Sequence, residues 1–187
     1  MISLPLALFG TGALWRNRNL HFYLFEDGFV FTRGRTRVGA RWSEVQGLLV
    51  TAVRYGTLGI SWGQRIRLQL DLVDGRQLEI NEPLEDEEAL VDEIKSHIYP
   101  DMLEAYRAAF NDGHPIVFGP ITLNRSGIRT DRNAIAWSQF ESAELQSGTV
   151  TIQGHPESGA RRIKVAAENV PNVDLCVQLI QALGQRT

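Results

Sequence analysis

The sequence has little cysteine, little lysine and no excess of positive charge. Its one cysteine, Cys176, cannot form an internal disulfide, and it lies in the apolar stretch VDLCVQLIQAL, where we expect it to be buried. A chain without disulfides fits a reducing compartment, so we expect a cytoplasmic protein. The net charge of −3 argues against nucleic acid as a partner, because nucleic-acid-binding proteins usually carry a basic excess.

The apolar stretch at the N-terminus is too short to span a bilayer, which takes about 20 residues. Residues 2–15 are mostly apolar and are followed by Arg16 and Arg18, whereas a secretory signal has its basic residues first. We therefore expect residues 1–19 to be a lead segment that is packed on the folded domain or frayed. The alternative is a membrane-facing segment whose arginines lie at the inner face of the membrane.

One catalytic motif has a formal match. The residues GISWG, from Gly59 to Gly63, fit the G-x-S-x-G nucleophile pattern of the α/β-hydrolases and make Ser61 a formal candidate. That mechanism needs the serine on a sharp turn between a strand and a helix, but an alternating strand pattern follows Gly63. A chance match is the better interpretation, and an esterase-like hydrolase at Ser61 is kept only as a remote alternative.

Metal and cofactor motifs are absent. The histidines have no ligand spacing such as H-x-x-x-H, and the sequence has no Walker loop and no G-x-G-x-x-G after a strand. The histidines are His21, His97, His114 and His155. The acidic run EPLEDEEALVDE lacks the spacing of a calcium loop, and the start of a helix explains it better. We therefore expect no metal, no cofactor and no enzymatic activity.

Alternating hydrophobicity predicts antiparallel strands in the first half of the chain. The stretch LHFYLFEDGFVFTRG gives two alternating runs around Asp27 and Gly28, which is a strong hairpin signal. The stretch IRLQLDL alternates in the same way, with its leucines on one face. A helical stretch, LEDEEALVDEIKSHIYPDMLEAYRAAF, follows, and Pro100 within it predicts a kink or a restart.

The same order of patterns returns in the second half. A Ser-Gly pair stands where the Asp-Gly pair stood, GTVTIQ and RRIKVA predict further strands, and Asn172 begins a closing apolar helix. The tetrapeptides WSEV and WSQF, at Trp42 and Trp137, lie a whole module apart, which indicates a tandem duplication. We expect both tryptophans to pack in a core.

Several short pieces of the chain together resemble a known family. In order they are EDGFVF, ARWSEV, LVDGRQLEI, VFGP, SGI, AWSQF and VPN. Their order and spacing resemble an uncharacterised bacterial family of tandem pleckstrin-homology-like (PH-like) modules, over about Leu20 to Leu183. This family has no assigned activity, and its superfold hosts the binding of phospholipids, peptides and proteins.

The resemblance implies an α+β, mainly β, fold with two tandem PH-like modules. Each module would be a bent antiparallel sheet or a partly open barrel of about seven strands, capped by a C-terminal helix. The predicted boundaries are a lead at residues 1–19, module 1 at residues 20–112 with a long kinked helix, and module 2 at residues 113–187.

The best ligand candidates are four arginines in the stretch TRGRTRVGAR, namely Arg33, Arg35, Arg37 and Arg41. PH-like folds that bind inositol phosphates use basic residues on a strand–loop–strand corner, and arginine suits phosphate by its bidentate fork. The alternative is that these residues form an ordinary solvated face.

The sequence therefore favours a non-catalytic binding or scaffolding protein with an unknown protein partner, bound at an exposed sheet edge or in the groove beside a helix. The alternative is a protein that binds anionic lipid at the inner face of the membrane.

Overall fold

In the computed structural model, the backbone is described for residues 14–17, 20–57, 60–81, 86–156 and 161–185. Side chains are described for residues 20–51, 66–81, 86–156 and 161–185. Within these ranges, the same order of elements occurs twice: a four-stranded sheet, a short 3-10 turn, a three-stranded sheet and an α-helix.

The first half contains strands β1 (Leu14–Asn17), β2 (Leu20–Phe25), β3 (Gly28–Arg33), β4 (Thr36–Arg41), β5 (Val45–Thr57), β6 (Ile60–Leu72) and β7 (Gln77–Ile80), and helix α1 (Glu87–Asn111). Strands β1 to β4 form one antiparallel sheet and β5 to β7 a second. Strand β1 was not predicted, because the alternating pattern begins only at Leu20 and the four residues of β1 are too few to show a period.

The second half contains strands β8 (Ile116–Phe118), β9 (Ile121–Asn124), β10 (Gly127–Arg129), β11 (Ala134–Ala136), β12 (Phe140–Gln146), β13 (Thr149–Gly154) and β14 (Arg162–Ala166), and helix α2 (Val173–Gly184). Strands β8 to β11 form one antiparallel sheet and β12 to β14 another. The Asp-Gly and Ser-Gly pairs begin β3 and β10, as the hairpin signals predicted.

The prediction of an α+β, mainly β fold is confirmed, but the sheets of each half differ from the predicted single bent sheet. Each half has two small antiparallel sheets instead of one continuous bent sheet, and the described residues form no closed barrel. One face of each sheet is apolar and buried, and the helix of each half covers it through residues such as Ile94 and Leu179. The buried side chains of both halves form one contiguous cluster.

The two tryptophans of the repeated tetrapeptide are buried in matching positions. Trp42 Nε1 donates to the Phe25 carbonyl oxygen at 2.9 Å, and Trp137 Nε1 donates to the Asn124 carbonyl oxygen at 2.8 Å. Each indole therefore ties the start of the three-stranded sheet to a hairpin turn, between β2 and β3 in the first half and between β9 and β10 in the second. The prediction that both tryptophans pack in a core is confirmed.

Helix α1 joins the halves. Its N-terminal part buries Ile94 and Ile98 in the first half, whereas Tyr106 and Phe110 contact aromatic rings of the second half. The helix continues through Pro100. Of the predicted kink or restart at that residue, the restart therefore does not occur, and the single long helix of the first half is as predicted. Burial on both sides of the proline holds the helix together despite the missing backbone donor.

Candidate binding cleft between the two halves

The four candidate arginines do not come together in space. Arg33 follows Phe29 and Phe31 on the core side of β3. Its Nη2 donates to the Glu79 carbonyl oxygen at 2.8 Å, and its guanidinium carbon lies 5.4 Å from the centre of the Phe31 ring. Arg33 therefore links β3 to β7, and so connects the two sheets of the first half.

All four arginines are exposed, and among the described residues the other three form no hydrogen bond to a second sheet. Arg37 and Arg41 lie on the outer face of β4, four residues apart, which corresponds to about 13 Å along a strand. Arg35 lies in the turn between β3 and β4, close to Arg37. Only Arg35 and Arg37 are therefore placed to contact a common small ligand.

The serine of the G-x-S-x-G match lies within a strand. Ser61 belongs to β6 and pairs with Gly56 of β5, and β6 continues to Leu72 before turning into β7. The backbone thus lacks the strand-to-helix turn that the nucleophile motif requires. The side chain of Ser61 lies outside the described residues.

In the described ranges, no three His, Cys, Asp or Glu side chains are grouped so that they could hold a metal ion. No α-helix in these ranges is both long and apolar enough to cross a membrane. Residues 1–13 of the predicted lead lie outside the described residues.

Asn172 forms the main polar connection between the halves. It is 1% exposed and begins α2 as predicted, but its side chain does not cap that helix. Its Oδ1 accepts from the Leu48 backbone N–H at 2.9 Å, and its own N–H donates to the Leu48 carbonyl oxygen at 2.8 Å. Asn172 thus pairs with the outer edge of β5 in the manner of a neighbouring strand.

The Asn172 amide also reaches Tyr106. Its Nδ2 donates to the Tyr106 hydroxyl oxygen at 3.2 Å and to the Gln46 carbonyl oxygen at 3.4 Å. Burial raises the pKa of Tyr106, and this hydrogen bond opposes part of that rise. Since the pKa lies above its ordinary value, the phenol keeps its proton at neutral pH and can donate it to a ligand.

Asn172, Tyr106 and Gln46 line a cleft between the halves, and the cleft has a volume of about 330 Å³. One wall is the β6–β7 turn with Asp71, Arg76 and Gln77, and the other contains Val117 and Pro171. The volume is at the lower end of the range for ligand pockets. Val117 is 60% exposed at one rim.

The Val117 wall presents an open strand edge. Strand β8 is at the edge of its sheet, and the pair Phe118–Ile121 closes the two-residue turn to β9. In an antiparallel hairpin, the next pair, Val117–Thr122, is not hydrogen-bonded across the strands. The Val117 N–H and carbonyl therefore point away from β9, and no described residue bonds to them.

A second groove lies between α1 and α2, with a volume of about 490 Å³ and an apolar floor that includes Leu103 and Leu175. Its polar groups bond to one another: Lys95 Nζ lies 2.7 Å from Asp174 Oδ2, and the Tyr99 hydroxyl donates to the same carboxylate at 3.4 Å. The cleft is the better candidate because it has a phenol and a strand edge available to a ligand.

Sequence reasoning identified Asn172 only as the start of a helix, and it did not identify Tyr106 or Val117. The bond from Asn172 to Leu48 joins residues 124 positions apart, so no local pattern could reveal it. The piece VFGP, quoted for the family resemblance, contains Val117, but nothing in it indicates a strand at the edge of a sheet.

Fold and cleft together define a mainly β protein of two similar halves with a polar cleft at their junction. The chain belongs to a family of unknown function (DUF6585), whose model matches residues 2–187. The expectation of a family without an assigned activity is thus confirmed. A comparison with curated proteins gives no match.

Proposed function

We propose that the chain is a non-catalytic binding protein of two tandem PH-like modules, and that the cleft between them holds an extended peptide segment of a protein partner. The single observation that carries this proposal is the outward-pointing backbone of Val117 beside the Tyr106 hydroxyl. An added peptide strand would satisfy that N–H and carbonyl, as in other cases of β-strand addition.

The repeated order of elements supports two PH-like modules, with the division near residue 113. In each half, four strands, a buried tryptophan, three strands and a helix follow in the same order. A cytoplasmic location is part of the proposal and is supported by the single buried cysteine.

The cleft offers groups suited to a peptide main chain and its side chains. The Tyr106 hydroxyl and the Gln77 amide can donate, and the Asp71 carboxylate can accept. Val73 and Val117, each 60% exposed, provide apolar contacts near the cleft. A peptide with an apolar side chain beside its bonded backbone groups fits this arrangement.

The test is a selection of displayed random peptides against the whole chain, followed by affinity measurements on the enriched peptides. Val117→Glu should abolish their binding, because it places a charge at the strand edge, and Tyr106→Phe should weaken it about tenfold through the lost hydroxyl. Leu145→Glu is the matched control, because Leu145 is another exposed apolar residue of the second half.

Enriched peptides that bind Val117→Glu and Leu145→Glu equally well would overturn the proposal, and so would a selection that enriches no peptide. Circular dichroism melts of the three variants check that any loss is not caused by unfolding.

A further inference from the structure

The outer face of the first sheet contains a row of polar residues that the peptide cleft does not use. His21, Thr32 and Arg37 lie directly opposite one another on β2, β3 and β4. Directly opposed residues of neighbouring strands have Cβ atoms about 5 Å apart. In the next strand, β1, the register places Arg16 opposite His21.

The charged groups of this row are all basic. No described outward position of β2, β3 or β4 is an aspartate or glutamate. Arg37 is exposed, and no described side chain forms an ion pair with it. Arg35 lies two residues before it, in the adjoining turn. Two guanidinium groups on a face without described carboxylates favour an anionic ligand.

His21 adds an independent observation. Its Nδ1 is buried and has no hydrogen-bond partner among the described residues, while its ring stacks on Tyr23 with 6.0 Å between ring centres. Because Nδ1 is buried, a contact to a ligand falls to Nε2. A neutral imidazole whose Nε2 carries the proton, or a charged one, donates from that position.

The described strands of the second half contain no equivalent of this row. The cross-strand pair Thr122–Arg129 repeats the threonine–arginine combination on the outer face. Strand β9 begins at Ile121, directly after the turn at Gly119 and Pro120, and it contains no histidine. Because β2, β3 and β4 have 6 residues each while β10 and β11 have 3, the row lies on strand length that only the first half has.

We propose that His21, Thr32 and Arg37, with Arg35 from the adjoining turn, form a binding site for a phosphate monoester. The arginine fork and the threonine hydroxyl bind the phosphate oxygens, and the imidazole donates to a third. The phosphate belongs either to a lipid headgroup or to a soluble molecule, and the experiment below distinguishes the two sources. This site is separate from the peptide cleft and does not depend on it.

The experiment has two arms. In the first, glycerol 3-phosphate is titrated into the labelled protein and binding is followed by the NMR shifts of the backbone amides of His21, Thr32 and Arg37. In the second, the protein is co-sedimented with phosphatidylcholine vesicles, with and without phosphatidic acid. Binding in both arms assigns the site to phosphate in general, and binding only to vesicles with phosphatidic acid assigns it to a lipid headgroup.

Arg37→Ala is the test variant and Arg129→Ala the control, since both remove one exposed arginine that pairs with a threonine. Arg37→Ala should weaken binding about tenfold at low salt, as expected for the loss of charge-assisted hydrogen bonds, and Arg129→Ala should not change it. Equal weakening by both substitutions would show nonspecific attraction and overturn the proposal. Absence of wild-type binding in both arms would overturn it as well.

Discussion

The two halves of the molecule share an order of elements but differ in length at three places. Helix α1 has 25 residues and α2 has 12. Strands β5 and β6 have 13 residues each, whereas β12 and β13 have 7 and 6. The hairpin of β3 and β4 is also longer than that of β10 and β11.

The elements common to both halves and the additional lengths of the first half have different roles. The shared part contains the tryptophan, the hairpin at the Asp-Gly or Ser-Gly pair and the helix that covers the sheets, all of which contribute to the core. The additional part of α1 supplies Tyr106 to the cleft, and the additional hairpin length supplies the basic row. The comparison teaches that Tyr106 and the basic row lie where the first half extends the common plan, whereas Val117 lies on a strand of the sheet that both halves share.

The largest effect is expected from the glycines that begin β3 and β10. A Cβ at Gly28 would overlap the Ala40 carbonyl oxygen, and a Cβ at Gly127 would overlap the Ile135 carbonyl oxygen. We expect Gly28→Ala and Gly127→Ala each to lower the free energy of unfolding by about 3 kcal/mol, as for an overpacked core. Urea denaturation of the two variants measures this.

The control for the glycine pair is Gly39→Ala, since the nearest atoms to its added Cβ are 3.7 Å away. We expect a change within about 0.5 kcal/mol. If only one of Gly28 and Gly127 were intolerant to alanine, the two hairpins would not be equivalent.

Asn172→Ala is expected to have the next largest effect. It leaves the buried Leu48 N–H without its acceptor and removes the donor to Tyr106. The free energy of unfolding should fall by about 2.5 kcal/mol. Because Asn172 also has a φ of 51°, Asn172→Gly separates the lost hydrogen bonds from backbone strain. A glycine variant as stable as the wild type would show that the side chain does not join the halves.

The tryptophans provide a smaller but closely matched comparison. Trp42→Phe and Trp137→Phe each remove one indole N–H and leave a backbone carbonyl without its donor. Thermal and urea unfolding should show a loss of about 1.5 kcal/mol in both cases. A loss in one variant only would mean that the repeated tetrapeptide has different roles in the two halves.

Local signals account for most of what the sequence predicted correctly. The hairpins at Asp27-Gly28 and Ser126-Gly127 and the buried tryptophans follow from alternation and turn chemistry, which depend on neighbouring residues. The division of each half into two sheets and the unbroken course of α1 through Pro100 depend on packing against distant residues, which no local pattern contains.

The basic row on the first sheet was harder to predict, because it also depends on how strands pair. The arginine count drew attention to Arg33, whose guanidinium instead connects two sheets through the Glu79 carbonyl oxygen. His21 and Thr32 are 11 positions apart and meet only through strand register. A basic residue therefore has to be assigned to a sheet face before it can be assigned to a ligand.

The smallest expected effect is a pH dependence from the closing helix. Burial raises the pKa of the Cys176 thiol from 9.0 to about 12. The unfolded thiol therefore loses its proton at a lower pH than the folded one, so stability is constant below about pH 9 and falls as the pH rises above it. At about pH 10 the loss should be about 1 kcal/mol.

Cys176→Ala isolates this contribution, because Tyr99 and Tyr106, whose pKa values are also raised, remain in both proteins. The difference in stability between wild type and variant should shrink as the pH rises from about 9 to 10. A difference that stays constant over that interval would show that the thiol ionises equally in both states.

The central claim, that the two halves are copies of one folding unit, is tested most directly by hydrogen exchange at the two indole nitrogens. Both indole N–H groups donate to a backbone carbonyl at the corresponding hairpin turn, Trp42 to Phe25 and Trp137 to Asn124. We expect both to exchange slowly in NMR spectra, with resonances assigned from Trp42→Phe and Trp137→Phe. Rapid exchange at either indole would contradict the claim, because the tryptophan of that half would then lack the bond that defines the unit.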